Sequence, residues 1–560
     1  MDTKKNSYII GVSAYYHDSS ACLFKNGELI FACEEEKFTG KKHDSSFPFN
    51  SIRYIFKTYK LSKKDIDVVC YYEDPKLKYK RLIQNFKNNW YRSFWYCVKS
   101  IIGFKIKMIT CKNNLELVSK NVFYSDHHNS HLFYSYYTSN FDNAIGLSVD
   151  GVGEFDTTTF CTIENGVPEK NTIAEYPHSL GLFYSAMTAF LGFKPNEGEY
   201  KVMGLAAYGN PNVYMDKVKK LISYENGTLK CNMKVFCWDR EDSSMFNVKL
   251  CELLEIEPKD TNLPIVQIHK DLAAAVQLNY ENILIKILND LYKKYEIKNL
   301  ILGGGCAYNG LANGKILKRT KYKKLWIPVA PSDAGSCVGA CLNYLASKNK
   351  VYKITPNPFL GPSYLYNNVI EAIGKLKYKQ FTSEEKMLKV VAKLLWEGKI
   401  IGWYHGHNEF GQRALGNRSI LANPFINGVK DKINNIIKQR ENFRPLAPAV
   451  IVEKQNEYFN TIGDVPYMNK IVNVKRKYKK LLKEVSNVDG TARIQSVNKN
   501  TLFHKLLLEF EILSNHPILL NTSFNTKDRP MVLTPKNAVD SYLNSDIDLL
   551  IIGNFIIYKH

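Results

Sequence analysis

Two stretches of this chain follow one plan, and the repetition narrows the folds open to it. Near the start, Tyr8-Ile9-Ile10-Gly11-Val12-Ser13 leads into a polar turn, Tyr15-Tyr16-His17-Asp18-Ser19-Ser20. An apolar run from Ala21 to Phe24 and a tight-turn signal, Asn26-Gly27, follow. The order recurs at Ala144-Ile145-Gly146-Leu147-Ser148-Val149, then Asp150-Gly151-Val152-Gly153-Glu154, Thr157 to Ile163, and Asn165-Gly166. Short apolar runs joined through Asn-Gly read as antiparallel strands. Two such units predict a duplicated α/β domain, its polar turns forming the halves of a cleft. There an Asp can serve a nucleotide or a metal while backbone N–H groups meet phosphate. Each copy taken singly is equally compatible with a plain β-hairpin.

Between the copies lies Ser125-Asp126-His127-His128-Asn129-Ser130-His131, with three of the twelve histidines within five residues at the start of an expected helix. Residues four apart share a helix face, so His127 and His131 can converge on one ion while His128 points roughly 100° away. Such a pair suits zinc or iron but needs further ligands. The same pattern also suits a capped helix with hydrogen-bonded histidines. Further on, a helix of good period from Asp271 to Tyr295 feeds a strand, Asn299 to Leu302, and then Gly303-Gly304-Gly305-Cys306-Ala307-Tyr308-Asn309. Glycines after a strand let backbone amides close on an anion, so Gly304, Gly305 and Asn309 join Asp150 and Gly151 as candidate nucleotide contacts. Asp333, in a turn after the next strand, is the first carboxylate suited to complete the histidine pair. Glu197, Glu199 and Lys201 either contact substrate or pair with one another.

At 560 residues the chain predicts two domains or more, and 45% hydrophobic residues supply real cores. No run is long and apolar enough for a bilayer span, and the N-terminus lacks the pattern of a secretory signal, which predicts a cytoplasmic protein. All twelve cysteines lie between Cys22 and Cys341, without a tight paired framework, so reduced thiols are expected. Their abrupt end points to a change of domain. Tyr352 to Tyr366, rich in proline and aromatics, reads as linker, giving a first domain over 1–350, a linker over 351–378 and a second domain over 379–560. The net charge of +22 is uneven: Pro75 to Leu115 carries ten Lys or Arg and no acid, interleaved with aromatics. That segment suits RNA or an anionic membrane surface, and also a solvated, partly amphipathic helical insertion. The run Lys475-Arg476-Lys477-Tyr478-Lys479-Lys480 reads as a mobile loop.

The second domain opens with a helix near Ser383 to Glu397 and a strand from Ile400 to Tyr404. Then come Glu409-Phe410-Gly411-Gln412-Arg413-Ala414-Leu415-Gly416-Asn417-Arg418-Ser419, Lys438-Gln439-Arg440-Glu441-Asn442-Phe443-Arg444-Pro445, Asp489-Gly490-Thr491-Ala492-Arg493 and Asn521-Thr522-Ser523-Phe524-Asn525. Arginine presents paired donors matched to phosphate or carboxylate, and Ser and Asn add neutral ones. Together these clusters predict a pocket for a phosphorylated or carboxylated small molecule.

In their joint order, Tyr16-His17-Asp18-Ser19, Glu34-Glu35-Glu36-Lys37-Phe38, His127-His128-x-x-His131, Ser148-x-Asp150-Gly151, Lys201-Val202-Met203-Gly204-Leu205-Ala206, Arg413 to Ser419, Phe443-Arg444-Pro445 and Asn521 to Asn525 resemble the O-carbamoyltransferases of the nodulation-protein and antibiotic-tailoring type. The resemblance implies an α/β protein with an N-terminal domain of the actin and sugar-kinase fold and a C-terminal YrdC-like domain. It implies a metal site of His127, His131, Asp150 and Asp333 for iron(II), with zinc or manganese able to take the same ligands. It also implies a carbamoyl-phosphate pocket of Arg413, Lys438, Arg444, Arg493, Asn521 and Ser523, with Lys438 and Ser523 catalytic. His17 is implied beside the acceptor hydroxyl. The expected substrates are carbamoyl phosphate, ATP with Mg2+, and a hydroxylated acceptor, and nucleic acid is not an expected partner. The segment Pro75 to Leu115 is expected to shape acceptor choice or to lie at a contact of a homodimer. A tRNA-modifying threonylcarbamoyl enzyme and a non-catalytic actin-like nucleotide-binding module are the alternatives. Lys37, Gly40, His407, Gln412 and Asn487 depart from the usual pattern without removing an expected ligand.

Overall fold

The computed structural model describes residues 6–164, 166–241, 244–350, 353–441 and 443–559. Of the residues named above, Asn165, Tyr352 and Asn442 lie outside these, as do Val351 and the first five residues. The chain divides into two compact units, one of Met1–Glu35, His43–Ala312 and Ile316–Pro356, the other of Glu36–Lys42, Asn313–Lys315 and Asn357–His560.

In the first unit, Tyr8–Ser13, Ser20–Lys25 and Glu28–Glu34 form an antiparallel meander. Ile66–Tyr71 and Val122–Tyr124 then add in parallel on the other side of the first strand. The second sheet repeats this arrangement strand for strand. Ala144–Val149, Asp156–Glu164 and Val167–Glu175 form the meander, and Asn299–Gly303 and Lys324–Trp326 add in parallel. The same strand order and directions twice over is the duplication expected of the actin and sugar-kinase fold. Ala144–Val149 is buried at every position, as a strand covered on both faces must be.

The helices His127–Tyr137 and Asp333–Ser347 pack on each other, and the second also covers Tyr8–Ser13. The periodic helix begins slightly earlier than expected, at Gln267, and runs to Tyr295. Its stripe from Leu272 to Leu291 is buried in the core of the second sheet. The basic aromatic segment is helical over Pro75–Val118, with Asp74 capping its first turn through Lys76 N–H (2.8 Å) and a break at Ser93 (φ −148°, ψ 46°). Among the described residues, no helix is long and apolar enough to cross a membrane.

The second unit is built on a mixed eight-stranded sheet in the order Tyr378–Gln380, Phe555–Ile557, Leu549–Ile552, Ile401–Tyr404, Arg418–Ala422, Ile518–Ser523, Ala447–Ile451, Gln495–Val497. The expected helix is present as Glu384–Trp396, capped by Ser383. Two expectations are corrected here. The presumed linker contains a helix, Tyr366–Ile373, whose Val369 and Ile373 are buried in the second unit's core, so that unit begins before residue 379. The basic run expected as a mobile loop contains a helical turn, Arg476–Tyr478. It is anchored by Tyr478, which donates to Glu457 (2.5 Å) and lies 4.5 Å from the Tyr458 ring.

Candidate functional site

The first unit gathers four buried ligand-type side chains from separate places in its fold. Asp126 caps the helix His127–Tyr137 by accepting from Asn129 N–H (2.8 Å), which sets the phase of both histidines. Glu154 accepts from the His127 backbone N–H at 3.0 and 3.2 Å, securing the same first turn. Asp150 follows the last residue of Ala144–Val149, and Asp333 opens the helix Asp333–Ser347 rather than standing in a free turn. The Nε2 atoms of His127 and His131 lie 3.1 Å apart, and each is 3.0 Å from Asp150 Oδ2. Asp333 Oδ1 stands 3.6 and 3.5 Å from the same two nitrogens. One ligating atom from each residue falls within a 4.8 Å group.

These side chains fit a metal ion. Ligands roughly 2.1 Å from a common ion stand roughly 3.0–3.4 Å apart at octahedral or tetrahedral angles, close to the spacings here. Asp150 Oδ1 is held by the N–H groups of Gly151 (2.8 Å) and Gly305 (3.3 Å), leaving Oδ2 aimed at the histidines. His131 Nδ1 meets Ser336 Oγ at 3.1 Å, the outer-shell contact that orients a ligating imidazole. Asp333 Oδ2 is buried with no hydrogen-bond partner among the described residues. Burial alone would lower the pKa of His127, but Asp333, Asp150 and Glu154 outweigh it and push it up to about 9. Those negative charges call for cations, and a metal would replace the protons. His128 takes no part: its Nδ1 meets Thr159 Oγ1 at 2.8 Å, and burial pushes its pKa down.

His17 stands beside this cluster, with Nε2 4.0 Å from Asp333 Oδ2. Its Nδ1 meets Asp18 Oδ2 (3.1 Å), and the other Asp18 oxygen meets His43 Nδ1 (2.7 Å). Burial opposes protonation of His17, but Asp333 and Asp18 overcome it and raise its pKa to about 10. His43 was invisible as a partner in the sequence, because only the fold brings it to Asp18. The glycine run behaves differently from a bare anion cradle. Gly304 N–H donates to Pro331 O (2.9 Å), Gly305 N–H turns to Asp150, and Asn309 caps Gly310–Arg319 through Ala312 N–H (3.1 Å). Asn309 also exchanges hydrogen bonds with Gln277, each 3.0 Å.

In the second unit, Lys438 is buried and donates to the carbonyl and hydroxyl of Ser523 and to Asn525 Oδ1. Burial, and beyond it the charges of Arg440, Lys42 and Arg444, hold its pKa well below the ordinary lysine range. Asn521 donates to Ala414 O (3.2 Å), next to Arg413, and to Gln495 Oε1 (2.7 Å). Arg493 ends the strand Thr491–Arg493, two residues before Gln495, and Arg444 pairs with Glu441 at 2.7 Å. The Arg413 loop is shaped by Glu409, which accepts from the N–H groups of Leu415 (2.9 Å), Asn417 (3.0 Å) and Arg418 (3.1 Å). Arg418 itself is buried on the carbonyls of His405, Gly406 and Asn417, a structural role. Lys42, Glu409 and Asn525 were missed in the sequence, although Glu409 and Asn525 sit in motifs already noted.

The chain matches two family models, Carbamoyltransferase N-terminus over residues 8–342 and Carbamoyltransferase C-terminus over residues 392–559. It is 36% identical to an uncharacterized protein of Synechocystis sp., covering 99% of this chain and 97% of that protein. With nodulation protein NolNO of Sinorhizobium fredii the identity is 32%, over 98% of this chain and 80% of the relative. Among solved structures, a ROK hexokinase from Thermus thermophilus aligns at 13% identity and a TM-score of 0.29, over 61% of this chain and 99% of its own. Matched in both halves and over nearly its whole length, the chain belongs to the carbamoyltransferase family and is a transferase enzyme.

Proposed function

We propose that the protein is an ATP-dependent O-carbamoyltransferase that forms carbamoyl-adenylate in its second unit and transfers the carbamoyl group in its first. In the first reaction, water takes the phosphoryl group of carbamoyl phosphate. The carbamate oxygen then attacks the α-phosphorus of ATP, and pyrophosphate leaves with Mg2+. Lys438, Arg413, Arg444 and Arg493 bind the phosphate oxygens as charge accumulates there, while Asn521 and Ser523 hold the neutral end. The supporting observation for this half is the convergence of Lys438 on Ser523 and Asn525 in a cation-rich setting.

In the second reaction, a hydroxyl of a sugar-containing or secondary-metabolite acceptor attacks the carbamoyl carbon and AMP leaves. His127, His131, Asp150 and Asp333 would hold the divalent ion, iron(II) in this reading. Once bound, that ion supplies Lewis acidity and offsets the carboxylate charges that otherwise keep His17 protonated. His17 takes the acceptor proton at Nε2, its orientation fixed from the Nδ1 side by Asp18. Asp150 and Gly151 border the adenylate. The observation that carries the proposal is the meeting of the four ligand-type side chains beside His17. Its test is pyrophosphate release from ATP by the purified protein. Release should require carbamoyl phosphate and fall by roughly a hundredfold in Lys438→Ala. Release without carbamoyl phosphate, or undiminished in both Lys438→Ala and Ser523→Ala, would show that the chemistry lies elsewhere.

A further inference from the structure

The helix Pro75–Val118 carries none of the residues assigned to either reaction, and its geometry is that of a helical hairpin. The break at Ser93 reverses the chain: Lys78 lies 5.8 Å from the Phe104 ring and Lys105 5.4 Å from the Tyr79 ring, so two legs run side by side. The base is fastened to the first unit. Arg81 donates to Gly153 O (2.6 Å), Asn85 to Asp239 O (2.9 Å), and Asn114 to Tyr15 Oη (2.6 Å). The tip is covered on one face, where Asn89 and Cys97 are buried and Tyr96 Oη donates to Trp238 O (3.5 Å), and open on the other, where Trp90 is 56%, Tyr91 62%, Phe94 46% and Trp95 80% exposed. From the tip, the returning leg carries Ile102, Ile106 and Ile109, again more than half exposed and spaced to share one helix face. Lys87, Arg92, Lys99, Lys105 and Lys112 flank this apolar surface in solvent.

We infer that this hairpin docks the enzyme on an anionic lipid bilayer, with the Trp90–Trp95 tip at the headgroup level. Exposed aromatics beside cations are the composition of interfacial anchors: amphipathic rings settle at the boundary while Lys and Arg meet anionic headgroups. The charge pattern selects this occupant. A second copy meeting the same patch across a two-fold axis would set the five flanking cations against their like, with no acid between Pro75 and Leu115 to pair them. RNA would use the cations and stack on the rings, but the Ile102, Ile106 and Ile109 face offers it nothing, whereas lipid accepts aliphatic and aromatic groups alike.

The full chain should sediment with vesicles of phosphatidylcholine containing about one-third phosphatidylserine, at least roughly tenfold more than with phosphatidylcholine alone, and less as salt is raised. Replacing Trp90, Tyr91, Phe94 and Trp95 together by Ser should remove that binding without changing pyrophosphate release. Independently of that variant, brominated lipid should quench the protein's tryptophan fluorescence, and Trp90→Phe with Trp95→Phe should abolish the quenching. The inference is overturned if the wild-type chain stays in the supernatant or is not quenched. It is equally overturned if the four-Ser variant still binds vesicles, or if the tip instead mediates dimerisation or single-stranded RNA binding in the absence of vesicle binding.

Discussion

Asp333 presents its two oxygens to different neighbours, Oδ1 to the histidine nitrogens and Oδ2, unpartnered, toward His17. An asparagine preserves shape but removes the charge that both an ion and His17 respond to. Asp333→Asn should weaken iron or zinc retention by at least roughly ten- to a hundredfold, read as metal per protein after dialysis against graded chelator. Retention equal to wild type would remove Asp333 from the ligand set. Away from the site, Lys470 is 6% exposed, and burial, only partly opposed by Asp464, pushes its pKa down to about 8. Between that value and roughly 10.4 the unfolded chain binds the extra proton, so Lys470 contributes a stability gain as pH rises through this window. Below about pH 8 its buried charge costs on the order of 3 kcal/mol. Lys470→Met should therefore be more stable than wild type in urea at pH 7, with the advantage shrinking toward pH 10. A pH-independent difference would mean that Lys470 is not buried in its charged form.

The helix His127–Tyr137 was legible because its information is local: Asp126 caps it, and a four-residue spacing puts two imidazoles on one face. Its partner Asp333–Ser347 was not, since Asp333 ends a proline-containing turn and its placement depends on packing. That packing turns on Gly339, where a Cβ would lie 1.7 Å from Ser130 O of the neighbouring helix. Alanine there cannot be accommodated by a side-chain rotation, because the obstacle is backbone; the helices must separate. Gly339→Ala should cost roughly 3 kcal/mol and also lower metal retention, since Asp333 rides on the displaced helix. Unchanged thermal stability would show that the two helices do not approach so closely. The same dependence on packing hid Tyr366–Ile373, a helix that begins where the proline-rich stretch ends.

At the scale of the whole chain, the duplicated sheets were legible from two copies of one strand-turn pattern, whereas the limits of the units were not. Glu36–Lys42 and Asn313–Lys315 belong to the second unit although the surrounding sequence belongs to the first, and no local signal marks such distant contributions. Lys37 shows their effect, donating to the carbonyls of Glu409 and Gly411 beside the Arg413 loop, and Lys42 adds charge near Lys438. Each unit nevertheless has a core of its own, so the two proposed reactions should separate by mutation. His127→Ala with His131→Ala removes two candidate ligands from the first unit and touches nothing around Lys438. Pyrophosphate release that depends on carbamoyl phosphate should then stay within about threefold of wild type, while carbamoylation of an acceptor, followed by mass spectrometry, falls by roughly a thousandfold. Lys438→Ala should depress both, because no adenylate forms for the second reaction to use. If the double histidine variant, with unchanged thermal stability, lost pyrophosphate release as well, the metal cluster would be part of adenylate formation, and the division of chemistry between the two units would fail.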